Sequence, residues 1–219
     1  MDLAVNLFYL GKLFMTKQLP KMALPYFVEA QSIILANTQL QHQLHSVDSL
    51  EISLELGSTY SARVSSKRKL KYESKAAECY DRALAEAKSR NANNNGNDIN
   101  SNNFYAKQLC RVLDATFKFS DWTNAAKYAR VQVDYYSTTF SPEQLAHNPD
   151  NFCAYLRLAD ALRNANKLTA ALQAYRCALQ VDLSASNDYC NQQLWISGQA
   201  RYKSAQKKAK KRKKKSYVD

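Results

Sequence analysis

LGKLFMTKQLPKMALPYFVEA, residues 10–30, and LADALRNANKLTAALQAYRCA, residues 158–178, carry the same residue classes at the same offsets. Leu10-Gly11 answers Leu158-Ala159. Phe14, Ala23, Phe27 and Ala30 answer Leu162, Ala171, Tyr175 and Ala178 without a gap. Between them, Leu56-Gly57 and Tyr60, then Ala76, Tyr80 and Ala83, follow the pattern once seven extra residues are allowed. A small residue beside Leu on one helix lets a second helix approach closely. The Ala-aromatic-Ala run of that second helix packs back into the space. Recurrence of such a unit predicts an all-α chain of antiparallel helix pairs stacked in an array.

Worked outward from these stretches, the sequence predicts helices over 4–15 and 20–36, 47–64 and 69–89, 104–119 and 123–139, and 150–164 and 168–181. Pro20 stands where helix starts accept proline, and Ser46 is placed as an N-cap. A polar connector covers 37–45, and SSKRKLK (65–71) is a basic insertion. The third pair is degenerate: Ala125, Ala126 and Ala129 keep a small-residue face, but no aromatic falls where the other pairs place one. Eight Asn among residues 91–103 predict a flexible loop that buries no apolar surface. A helix from about 187 is expected to cap the open end of the stack. The domain boundary is set at 1–200, with 201–219 as a basic, disordered tail.

Four Gly and four Pro are too few for a turn-rich β fold, and 46% hydrophobic residues supply a core. No apolar run reaches membrane-spanning length, so no membrane insertion is expected. Residues 1–15 lack a basic leader and are read as the first repeat helix. An intracellular protein follows, with the nucleus preferred over the cytoplasm. The five cysteines, at 79, 110, 153, 177 and 190, are scattered singly and read as packed thiols in a reducing compartment. His42 and His45 stand three apart, with no Cys or carboxylate cluster to complete a metal site.

No phosphate-cradling, zinc-protease or nucleophile-elbow motif occurs. The chain is therefore read as a non-enzymatic scaffold needing no cofactor. Its net charge of +12 is concentrated at one end: residues 201–215 hold ten Lys or Arg and no acid, leaving +2 for the rest. Lys207, Lys208, Lys210, Lys211, Arg212, Lys213, Lys214 and Lys215 form a block fit for an importin or for RNA phosphates. Most of the fourteen tyrosines fall on predicted helices, as packing residues or as anchors for a bound peptide.

Over roughly residues 3–182 the chain resembles the tetratricopeptide repeat family. The resemblance implies a right-handed solenoid whose inner groove binds a partner peptide or helix, an adaptor role. Its packing positions here are Gly11, Ala23, Phe27 and Ala30; Gly57, Ala76, Tyr80 and Ala83; and Ala159, Ala171, Tyr175 and Ala178. The spacing from Leu10 to Leu56 is 46 residues, longer than the 34 of the minimal unit. One subclass grips a chaperone's C-terminal carboxylate with an Asn after the small residue of the first helix. Lys12, Ser58 and Asp160 stand there instead. Residues 104–182, with Tyr135-Tyr136, Ser141-Pro142 and His147-Asn148-Pro149, also resemble the C-terminal helical domain of SET and MYND lysine methyltransferases. The SET motif and the MYND zinc finger are missing, which would make the chain a fragment or a relative without the catalytic half. A second functional expectation is an RNA- or ribosome-associated factor acting through the basic end.

Overall fold

The computed structural model describes residues 2–36, 48–64, 69–93, 99–181, 183 and 188–215. His42, His45, Ser46 and residues 37–45 lie outside them, as do 65–68 of the insertion and 216–219 of the basic end. All regular structure among the described residues is helical, with no strand. The chain divides into two compact units, 1–124 and 125–219.

The first unit holds α1 (Asp2–Thr16), α2 (Pro20–Ala36), α3 (Ser49–Ser61), α4 (Lys69–Asn93), α5 (Ile99–Lys118) and the opening of α6 (Trp122–Thr139). Each of α1 to α4 packs on the helix that follows it, and α3 also meets α1 and α5. Surrounded in this way, α3 buries Leu50, Ile52, Leu54, Leu56 and Tyr60 together with Ser53, Thr59 and Ser61. Its N-cap is Asp48, which accepts the Leu50 N–H at 2.6 Å. The helix starts two residues later than expected because a carboxylate satisfies its orphan amide.

Close approach within pairs comes from glycine. A Cβ on Gly11 would stand 2.6 Å from the Phe27 ring, and one on Gly57 would collide with Tyr80. Ala23, Phe27, Ala30, Ala76, Tyr80 and Ala83 are all fully buried. A buried polar network ties the far end of α3 to α4 and α6. Ser61 Oγ and Asn124 Nδ2 each donate to Asp121 Oδ2 at 2.8 Å, and Asn124 Nδ2 also donates to the Glu73 carbonyl at 2.9 Å. Burial pushes the Asp121 carboxyl up from its ordinary range, against the pull of those donors.

The second unit holds the rest of α6, then α7 (Pro142–Ala146), α8 (Pro149–Asn164), α9 (Leu168–Gln180) and α10 (Tyr189–Lys215). Ser141 and Gln144 form a capping box on α7, and Asn148 caps α8 by accepting the Asp150 and Asn151 amides. Ala159, Ala171, Tyr175 and Ala178 are fully buried where α8 meets α9. α10 packs on both. Its Gly198 lies so close to α8 that a Cβ would meet the Phe152 ring at 2.7 Å.

Three of the helix turns are copies of one another. Gln18, Ser120 and Asn166 sit two residues past α1, α5 and α8 with left-handed φ of 58°, 57° and 64°. After each, an amide reaches back five residues: Leu19 to Phe14, Asp121 to Thr116 and Lys167 to Leu162, at 2.9, 2.9 and 2.8 Å. This is the Schellman closure of a helix C-terminus. Aligning the turns places Gln18 against Ser120, which puts Leu113 in the register of Gly11 and Ala129 in that of Phe27. Large and small are exchanged in the third pair, and both residues are fully buried. At the position of the missing aromatic the third pair thus carries Ala129, and at the position of the small residue it carries Leu113.

Two expectations need correction. The Asn-rich stretch is largely helical: α4 continues to Asn93 and α5 begins at Ile99, leaving 94–98 outside the described residues. Asn costs a helix only a few tenths of a kcal/mol more than most residues, so packed flanking turns carry the helix into it. The basic end is not a disordered tail as far as Lys215; it is the second half of α10. Lys, Arg, Gln and Ala are strong helix formers, and Gly198, Tyr202 and Ala205 hold the helix against its neighbours.

Candidate functional site

The face made by α1, α3 and α5 carries charges that are paired from helix to helix. Glu51 and Glu55, one turn apart on α3, point to opposite neighbours. Arg111 on α5 forks onto both Glu51 oxygens, at 2.5 and 2.8 Å, and its Nη1 also donates to Gln108 Oε1 at 2.9 Å. Lys12 on α1 stands 3.7 Å from Glu55 and 5.3 Å over the Phe8 ring. The Arg111 hydrogen bond holds the Glu51 carboxyl below its ordinary range. Burial outweighs Lys12 and Arg111 at Glu55 and pushes that carboxyl up. Ser58 continues the stripe, half-buried.

At the turn end of the same face lies a pocket of about 460 Å³, lined by Met15, Thr16, Gln18, Pro20, Ala62, Lys118 and Phe119. Its walls exist because the Schellman turn swings Gln18 away from α1 and because α3 ends at Ala62. Lys118 sits 5.3 Å over the Phe119 ring. The pocket thus offers apolar surface, one cation, a hydroxyl and an amide. Such a mixture suits recognition of a side chain and supplies no nucleophile–base pair.

Lys12, Ser58 and Asp160, the residues following the small position of each pair, fall in three different settings. Lys12 is committed to Glu55. Asp160 accepts Arg201 at 2.6 Å and the Tyr175 hydroxyl, with Arg163 at 3.5 Å. Only Ser58 lies beside the charge stripe without an acid or base of its own.

The basic residues are exposed along α10: Lys203, Lys207, Lys208, Lys210 and Lys211 all face solvent. Arg201 is drawn back to Asp160, and Tyr202 accepts a hydrogen bond from Arg176 at 3.0 Å, which lowers the phenol's proton affinity. Among the described residues no group of three His, Cys, Asp or Glu could hold a metal. Cys79 is buried, its thiol pushed up to about 11 by desolvation, so it is not an activated nucleophile. No described helix is long and apolar enough to cross a membrane.

The glycine and alanine positions were legible from spacing. Glu51, Arg111, Ala62, Lys118 and Phe119 were not, because they meet only when α1, α3 and α5 are side by side. The one signal available was the i, i+4 repetition of Glu51 and Glu55. No family model and no curated protein matches the chain.

Proposed function

We propose that the protein is a non-enzymatic adaptor built as a tetratricopeptide-like right-handed solenoid, with the α1/α3/α5 face as its partner groove. The observation that carries this reading is the 460 Å³ pocket at the end of a face whose own charges are already paired. Lys12 and Arg111 answer Glu55 and Glu51, so these four charges cancel and Lys118 at the pocket remains the added cation. An anionic peptide would have to displace those carboxylates; a peptide or amphipathic helix presenting an apolar side chain would not. That side chain enters between Met15, Ala62 and Phe119, while Thr16, Gln18 and Ser58 meet the partner's backbone. Burial raises the proton affinity of Glu55 against the pull of Lys12, so a partner that brings a further hydrogen-bond donor to it is favoured.

The test is positional. A photo-crosslinking residue placed at Tyr9, Ser58 or Lys118 in the full chain should attach to one common partner. The same residue at Lys88, exposed on α4, should not. Equal yields from all four positions would remove the groove assignment.

A further inference from the structure

Residues 201–215 are helical, and this changes what the basic block can bind. Ala205 is fully buried, and beyond it Gln206, Ala209 and Lys210 share with Thr169, Leu172, Gln173 and Arg176 of α9 the lining of an open cleft of about 520 Å³. At 100° per residue, Lys203, Lys207 and Lys211 fall on the opposite side from Ala205 and Ala209. They are exposed, and none has an ion-pair partner among the described residues. The result is a cationic helix anchored at Ala205, with Lys203, Lys207, Lys208, Lys210 and Lys211 exposed.

Its charge density decides the ligand. Residues 207–215 contain eight Lys or Arg in nine positions. At about 1.5 Å of rise per residue that is about one positive charge per 1.7 Å of axis, the same spacing as the phosphates of a duplex counted over both strands. Three alternatives lack support in the same helix. A membrane-surface helix needs a broad free apolar stripe, and beyond Tyr202 the basic half of α10 offers only Ala205, which is buried, and Ala209. A single-strand binder needs stacking rings, and Tyr202, its aromatic among the described residues, is occupied by Arg176 and Tyr175. A linear import signal read as an extended chain would require this anchored helix to unwind.

From this geometry we infer that the C-terminal half of α10 is a binding site for the phosphate backbone of duplex nucleic acid. Lysine reads no bases, so recognition is independent of sequence. The inference does not depend on the partner groove.

The experiment titrates the full chain against a 20-base-pair duplex RNA, a duplex DNA, a single strand of equal length and vesicles of anionic lipid. With about half the cations of the helix facing the duplex, roughly five, affinity should fall about 500-fold between 50 and 200 mM salt. Replacing Lys207, Lys208, Lys210 and Lys211 by Gln keeps the helix, which circular dichroism checks, and should weaken duplex binding at least tenfold with a shallower salt slope. Ala209→Pro keeps every charge but breaks the helix, and should abolish the preference for duplex over single strand. The inference is overturned if single strand binds as tightly as duplex in the wild type, or if Ala209→Pro changes nothing. It is equally overturned if vesicles, or an importin, bind the basic half while duplex does not.

Discussion

At Gly57 and Gly11 the backbone of one helix lies directly against an aromatic ring of the next, and a single methyl group has nowhere to go. In an open helix Gly→Ala gains about 1 kcal/mol from propensity. Here the sign reverses: Gly57→Ala and Gly11→Ala should each lower stability by about 1–3 kcal/mol in urea melts, because a rigid ring face, and not a flexible side-chain end, must move. This part of the fold was visible in the sequence, since a small residue and an aromatic at fixed spacing point to a close helix crossing. The Glu51–Arg111 pair was not, since its partners are 60 residues apart. It makes a pH prediction. Glu51 titrates lower in the folded chain than its ordinary 4.5, so its contribution is present above that value and lost as pH falls through the depressed one. The stability difference between wild type and Glu51→Gln should be full at pH 6 and shrink steadily below about pH 4.5. A constant difference down to pH 2 would mean that the ion pair contributes nothing.

The element that repeats most faithfully is the turn, not the helix. Gln18, Ser120 and Asn166 adopt one left-handed conformation and one hydrogen-bond pattern, although their sequences share nothing obvious. A left-handed backbone strains every residue with a Cβ, Asn less than most. Gln18→Gly and Ser120→Gly should therefore stabilise by about 0.5–1 kcal/mol, the greater flexibility of the unfolded chain offsetting part of the gain. Asn166→Gly should gain less. The turns were illegible beforehand because a Schellman closure needs only a tolerated φ, and any of several residues accepts it where packing demands it. The same turns show where the third pair departs from the others, since alignment on Gln18 and Ser120 sets Leu113 at the small position and Ala129 at the aromatic one. At the other end of the chain, composition predicted disorder for the basic block because it weighed charge alone. It missed that Gly198 and Ala205 lie on one face of a helix that α8 and α9 already hold.

On the scale of the whole molecule, the face proposed for partner recognition and the basic half of α10 belong to different units, α1/α3/α5 to the first and α10 to the second. They should be separable by substitution without cutting the chain. Ala62, half-buried at the pocket, can be enlarged to Trp to fill it while leaving the buried faces of α3 untouched. The four-Gln change on α10 removes charge and keeps the helix. The most direct measurement is affinity capture with wild type, Ala62→Trp and the four-Gln variant, each with and without nuclease. The adaptor account predicts a protein partner that is lost with Ala62→Trp yet retained by the four-Gln variant and after nuclease. A partner that survives Ala62→Trp but disappears with the lysines or with nuclease would contradict it, and would place the protein's main work in α10.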